Sequence, residues 1–177
     1  MAKTEKKTKI HEIVKYPDAV LAKRGEPITV FDDKLKTLVD EMFESMYEAQ
    51  GIGLAAPQIG LSQRLTVIDT SFRKNPDDKI VLINPEIIER EGSQYEEEGC
   101  LSLPDIRDKV KRAAKVKVRA QNVKGEWFEI EGEELLSRAF QHEIDHLDGI
   151  LFIDRISRLK KDLTVRRIKK LIKNGEW

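Results

Sequence analysis

Hydrophobic positions recur at helical spacing near both ends of this chain and at strand spacing between them. In "FDDKLKTLVDEMFESMYEAQG", residues 31–51, Leu35, Leu38, Val39, Met42, Phe43 and Met46 return every three or four positions and form one apolar stripe. Asp32 or Asp33 can cap this helix at its start, and Gly51 can end it. The stretch that follows, "GIGLAAPQIG", is too rich in Gly and Ala, and too interrupted by Pro57, for a helix or an ordinary strand interior. The middle of the chain then reads as β. "RLTVID", "KIVLINPEIIER", "AKVKVRAQN" and "GEWFEIEG" are short β-branched runs broken by Gly, Asn or Pro. Val116, Val118 and Ala120 alternate with Lys117 and Arg119, the pattern of a strand wet on one face, and "NVKGE" around Gly125 suits a hairpin turn.

A second helix is predicted from about Glu133 to Leu147. With His142 at zero on a helical wheel, His146 lies at about 40°, Leu135 at about 20° and Ala139 at about 60°. Leu136, Phe140, Ile144 and Leu147 gather between about 120° and 200°. A helix apolar on two sides runs through the middle of a domain. The last helix, predicted from Ser157 to Ile172, carries a stripe of Leu159, Leu163, Ile168 and Ile172 with basic residues outside it. Strands in a block flanked by helices give an α+β class: mostly antiparallel sheet around a central buried helix, with a long N-terminal helix and a C-terminal helix.

Length and composition narrow this further. A chain of 177 residues makes a single domain, 1–177, the default. Lys plus Arg equals Asp plus Glu, 32 against 32, so the global balance argues for no polyanionic partner and no DNA. The distribution is uneven. Residues 155–177 hold nine basic side chains against two acidic, a segment of +7 that the rest of the chain balances with −7. Such a basic tail suits either an RNA or ribosome contact or a solvated helix face. One cysteine excludes an intrachain disulfide and suggests a reducing compartment. No apolar run approaches the ~18 residues of a membrane span. "MAKTEKKTK", residues 1–9, has lysines but no apolar stretch behind them, so it reads as a disordered lead-in and the cytoplasm as the location.

The candidate chemistry lies in "QHEIDHLDG", residues 141–149. His142 and His146 sit at i and i+4, side by side on a helix and able to share one ion. Glu143 points about 100° away and can reach water beside such an ion. This is the HExxH arrangement, in which the Glu is a general base. Two imidazoles buried without partners would cost free energy, which a metal removes.

A catalytic site of this kind needs a third ligand. Six residues beyond His146 stands Phe152, where one large group of metallopeptidases has a further His, and the only Glu after Glu143 is Glu176. Cys100, in "EEEGCLSLPDIR", remains. Gly99 before it permits an unusual backbone angle, and Pro104 removes a ladder donor soon after. Two His and one Cys form a known catalytic ligand set. At this point a broader metallopeptidase and a non-catalytic, metal-stabilised binding module stay open.

Three stretches together resemble the peptide deformylase family: "GIGLAAPQ" at 51–58, "EGCLSLP" at 98–104 and "QHEIDHLDG" at 141–149. "IVKYPDAVL" at 13–21 is similar to that family's opening, and the likeness runs from Ile13 to about Leu163. The resemblance implies a hydrolase that removes the N-formyl group from the initiator methionine of new polypeptides and releases formate. It implies Cys100, His142 and His146 as metal ligands, Glu143 as general acid/base, and Gln58 with the backbone N–H of Leu101 as oxyanion donors. It also implies Fe(II) as the usual ion, with Zn, Ni or Co able to replace it; ligand chemistry by itself suggests zinc. Ile52, Gly53, Glu98 and Arg107 are implied near the substrate, and helix geometry adds Leu135 and Ala139 to the methionine pocket, with Arg138 at its border. Gly51 and Gly53 let backbone approach a bound peptide, which can pair as an added strand. Asp145 is implied to pair with Arg112, and Tyr16, Pro17 and Asp18 to fix a turn. His11 is expected in the flexible start, with no role. The basic last helix is expected to dock near the ribosomal exit.

Overall fold

The computed structural model describes residues 7–177. The lead-in expected to be disordered, 1–9, therefore lies mostly outside the described residues; 7–9 are exposed and irregular. In chain order the elements are α1 (Asp33–Glu48), β1 (Gly53–Ala55), β2 (Leu65–Ile68), β3 (Ile80–Glu91), β4 (Gln94–Cys100), β5 (Leu103–Arg112), β6 (Lys115–Gln121), β7 (Trp127–Glu133), α2 (Glu134–Leu147) and α3 (Arg158–Lys173). Five strands form one antiparallel sheet in the order β1-β2-β3-β6-β7, while β4 and β5 pair separately. No helix among the described residues is long and apolar enough to cross a membrane.

The sheet is covered on both faces, and β2 shows how. All four of its residues are buried. Leu65 and Val67 join Leu35, Val39, Met42, Phe43 and Met46 of α1 in one apolar cluster. Ile68 joins Val116, Val118 and Ala120 of β6 with Phe140 and Ile144 of α2 in another. Successive side chains point to opposite faces, so a strand between two helices is apolar in both registers. Phe140 is fully buried, and a Cβ on Gly132 would meet its ring at 2.7 Å. Truncating that ring to Ala would cost about 3–5 kcal/mol. A third cluster packs Leu103, Ile106 and Val110 of β5 against Phe152, Ile153 and Ile168.

The α+β architecture matches the expectation, with informative differences. Asp32 caps α1 by accepting from the Leu35 N–H at 3.0 Å. At its other end the left-handed residue is Gln50 (φ 59), not Gly51. Gln50 N–H bonds to Tyr47 O and Gly51 N–H to Met46 O, the double bond pattern that closes a helix one residue earlier than a glycine stop suggests. "GIGLAAPQIG" does contain a strand, the short edge strand β1, followed by one turn of 3-10 helix at Ala56–Ile59. The β4–β5 hairpin was not foreseen at all. Its ladder sets Glu97 opposite Lys109 and Glu96 opposite Val110, in strands too rich in charged residues to show a β-branched, alternating run.

Two further expectations are corrected. On α3 only Ile168 is fully buried; Leu159, Leu163 and Ile172 of the proposed stripe are exposed, Leu159 by 70%. The side of α3 that faces the domain instead includes Thr164 and Val165, both half-buried, with Ile168. His11 is not in a loose segment: its Nε2 lies 2.7 Å from Glu41 Oε2, and its N–H donates to Ser45 Oγ on α1. The adjoining stretch is strapped to the interior. Val14 N–H donates to Gln58 O at 2.7 Å and Tyr16 N–H to Ser102 O at 2.9 Å. Asp18 caps the turn that follows by accepting from the Val20 N–H.

Candidate active site

Helix α2 carries its two histidines on the side turned away from the sheet, as the wheel requires, and β4 ends beside them at Cys100. The Cys100 Sγ and one nitrogen from each of His142 and His146 lie within 4.8 Å of one another. The two Nε2 atoms are 3.2 Å apart, and Sγ is 3.4 Å from the Nε2 of His146. In a tetrahedral metal site, ligand atoms about 2.1–2.3 Å from the ion stand about 3.4–3.6 Å from each other. The donor set therefore fits a divalent ion, in spacing and in chemistry. His146 is 1% exposed, and burial together with the neighbouring His142 pushes its imidazole well below its ordinary pKa. That keeps it neutral, the form in which imidazole binds a metal.

His142 is oriented from behind. Its Nδ1 faces Glu98 Oε1 at 2.9 Å, which leaves Nε2 for the cleft. Burial opposes charge on His142, but Cys100 and Glu98 outweigh it and raise its pKa well above the ordinary value. Glu98 is held in turn by Arg112, through Nε at 2.9 Å and Nη2 at 3.1 Å. Burial pushes the Glu98 carboxyl up; hydrogen bonds from His142 and Arg112 prevail and hold it at about 2. Arg112 Nη1 reaches Asp145 at 2.6 Å, and Arg155 takes both Asp145 oxygens at 3.0 and 2.7 Å. Glu98 was expected against the substrate. It lines the cleft, but its carboxylate is committed to His142 and Arg112.

Glu143 is 4% exposed, and burial raises its carboxyl to about 7 against the pull of His142 and Thr66. Its carboxylate fills the space beside Gly53: a Cβ there would stand 2.5 Å from Oε1. This gives Gly53 a reason the sequence reading did not supply, room for Glu143. Gly51 likewise faces Leu101, whose Cδ1 would be 2.8 Å from an added Cβ. Gly99 has no unusual backbone angle; its missing side chain leaves space for Arg107, whose Nη1 would be 2.9 Å from a Cβ.

Gln58 is fixed at both ends. Its Oε1 accepts from the Ala55 N–H at 3.0 Å, which turns Nε2 toward Cys100 Sγ at 3.6 Å and Ser102 Oγ at 3.2 Å. These groups open on a cleft of about 500 Å3 lined by Ile52, Gly53, Gln58, Glu98, Cys100, Leu101, Arg107, Leu135, Arg138, Ala139, His142 and Glu143, along with Gln50, Leu103 and Ile106. His146 lies beneath its floor. Arg107 stands at the rim, its Nε donating to Glu97 at 2.6 Å, and Arg138 donates to Gln94 at 2.7 Å. Leu135 is 41% exposed at the cleft mouth.

Two polar neighbours escaped the sequence reading. Thr66, whose hydroxyl donates to Leu54 O at 2.9 Å, stands 3.4 Å from Glu143 Oε2. Ser102 accepts from Gln58 and is itself fully buried. A threonine inside the otherwise apolar "LTVI" was the available signal for the first, and position within "EGCLSLP" for the second.

Known proteins resemble this chain in sequence and in fold. A family model described as polypeptide deformylase matches residues 10–162. A peptide deformylase of Acidobacterium capsulatum is 74% identical over 168 residues, covering 95% of this chain and 99% of that one. One of Thermodesulfovibrio yellowstonii is 53% identical, covering 90% and 97%. The crystal structure of a peptide deformylase from Legionella pneumophila superposes with a TM-score of 0.87 at 47% identity, over 94% of this chain and 98% of that one. On the match of its sequence and its fold over nearly the whole length, this chain belongs to the polypeptide deformylase family.

Proposed function

We propose that the cleft hydrolyses the formamide bond of N-formylmethionyl peptides, with Glu143 carrying the proton and Cys100, His142 and His146 holding the ion. The observation that carries this reading is the convergence of one sulfur and two imidazole nitrogens beside a buried carboxylate. A divalent ion at that point supplies Lewis acidity, polarising the formyl oxygen and acidifying nearby water. We take Fe(II) as the resident ion on the family resemblance; Zn, Ni and Co suit the same ligands.

Each remaining step belongs to the chain's own residues. β1 is an edge strand, paired on one side by β2 only, so its free edge can accept an extended peptide as a further strand. Leu135 and Ala139 receive the methionine side chain, with Arg138 and Arg107 at the border. Glu143 takes the proton of the attacking water and returns it to the departing amine. The Gln58 amide and the Leu101 N–H meet the negative charge that builds on the formyl oxygen, where one donor is typically worth about 3 kcal/mol of barrier. The Ala55 N–H on Gln58 Oε1 supports this, because it prevents the amide from rotating its acceptor into the site. Glu98, at the cleft wall, holds His142.

Nascent chains are the natural supply of such peptides, which places the work in the cytoplasm at the ribosomal exit. The exposed Arg166, Arg167, Lys169, Lys170 and Lys173 of α3 support docking there. Because Ile168 anchors α3 in the core, charge reversal at Arg166 and Lys170 is a cleaner test than truncation. Unchanged co-sedimentation with ribosomes would remove the docking proposal. For the reaction itself, formate release from formyl-Met-Ala-Ser is measured beside the acetyl and unmodified peptides. Turnover of the formyl peptide alone is expected; cleavage of internal peptide bonds would point to a broader metallopeptidase.

A further inference from the structure

Behind the network that holds His142, on the opposite side of Arg112 from Glu98, lies a second cavity of about 320 Å3. Four cationic residues line it: Arg90 at the end of β3, Lys111 and Arg112 on β5, and Arg155 after α2. Asp145 is the one acid among the lining residues, and both its oxygens are taken by Arg112 and Arg155. Lys111 and Arg90 form no ion pair among the described residues. The lining is thus three charges positive, and Glu98 behind Arg112 offsets one of them. Its floor is built rather than mobile: Arg112 and Asp145 are 5% and 8% exposed. A guanidinium has five N–H hydrogens, and Arg112 spends three of them on Glu98 and Asp145. Two remain, on a residue that lines the cavity. The Ser93 hydroxyl, in the β3–β4 turn, adds a neutral donor at the rim.

Like charges gathered on one concave surface repel one another, and a matching anion relieves that. Arginine's flat guanidinium favours oxyanions that can take two parallel hydrogen bonds, phosphate among them, and lysine adds a point charge. From the excess of positive charge, the buried donors and the size of the cavity, we infer that this cavity binds a phosphate-sized polyvalent oxyanion. The same chemistry could be offered by free phosphate or by the phosphoryl group of a nucleotide.

The test uses the metal-loaded enzyme at constant ionic strength, with inorganic phosphate titrated by calorimetry and replaced by chloride in the control. One saturable site is expected in wild type. The double variant Arg90→Gln, Lys111→Gln leaves the catalytic cleft intact, so phosphate bound at the metal would persist in it. In that variant the second-cavity affinity is expected to fall at least about tenfold, as loss of two charged contacts requires. A circular-dichroism melt checks that it remains folded, and Lys111→Met alone serves if it does not. Titration with a nucleoside monophosphate in parallel identifies the source: affinity equal to that for phosphate assigns the free anion, and tighter binding assigns the nucleotide. Absence of saturation, or equal phosphate binding by wild type and the variants, overturns the site.

Discussion

Gly53 and Glu143, ninety residues apart, occupy adjoining halves of one small space: a β-carbon on the glycine would sit 2.5 Å from a carboxylate oxygen of the glutamate. The clash involves the whole end of the side chain, since Cδ and Cγ would lie at 2.8 and 3.0 Å. Glu143 is 4% exposed and cannot step aside into water. In Gly53→Ala the carboxylate must shift by a fraction of an ångström to an ångström. Because misplacement on that scale can cost about a hundredfold in rate, kcat for formate release is expected to fall by about that factor. Metal content, which the proposed ligands would set, is expected to stay the same.

Replacing Glu143 by Ala removes the proton carrier and keeps the three proposed ligands. The variant is expected to bind its metal with wild-type stoichiometry while losing about two to four orders of magnitude in kcat. Formate assay and elemental analysis on one sample decide it. A variant with near-normal turnover would remove Glu143 from the mechanism.

Glu98→Gln separates orientation from ligation. The change removes the carboxylate that fixes the His142 ring and leaves one side of Arg112 without its charge partner. Loss of such an outer hydrogen bond typically lowers metal affinity about 10- to 100-fold, and chelator competition is expected to show a loss in that range. Breaking a buried ion pair costs about 3 kcal/mol, so the melting temperature is expected to drop too. If Glu98 instead met substrate, KM would rise with metal affinity unaltered.

Asp69 makes a prediction about acid stability. Burial raises its carboxyl, but donors from the Tyr47 hydroxyl, Ser71 and the Arg73 N–H outweigh this and hold it at about 2. The folded value lies below the ordinary carboxylate value of 3.8, so the native state is favoured when Asp69 is ionised. That stability is fully present above about pH 5 and is lost as the pH falls through about 4 toward 2, and it amounts to at most about 2 kcal/mol. Asp69→Asn is expected to be less stable at pH 7 and to show a shallower decline over this window, measured by urea unfolding at a series of pH values.

The residues of the candidate site were more legible in the sequence than the scaffold around them. Cys100, His142, His146 and Glu143 were legible because helix periodicity fixes the histidine pair, a lone cysteine left few choices for a third ligand, and three motifs carried the family likeness. The architecture around α2 followed from its two apolar faces. What stayed hidden depends on cross-strand and tertiary partners. β4 and β5 are charge-rich, and their pairing of Glu97 with Lys109 has no local signature. Leu159, Leu163 and Ile172 looked like a packing stripe, yet tertiary contact chose the Val165–Ile168 side. Gly53 was recognised as needing to be small, but the neighbour that requires it comes from another motif.

The bonds from Val14 to Gln58 and from Tyr16 to Ser102 carry a last implication. Gln58 and Ser102 belong to separate motifs that meet through the Gln58–Ser102 hydrogen bond beside the cleft, and a piece of backbone that contributes no reactive group is tied to both. The gap between donor amide and sulfur is thereby gauged from outside, by a buckle near the amino terminus. Loosening that buckle would detune catalysis with every reactive atom still present, and the stretch from Ile13 to Asp18 should tolerate exchange of side chains far better than any change in its length.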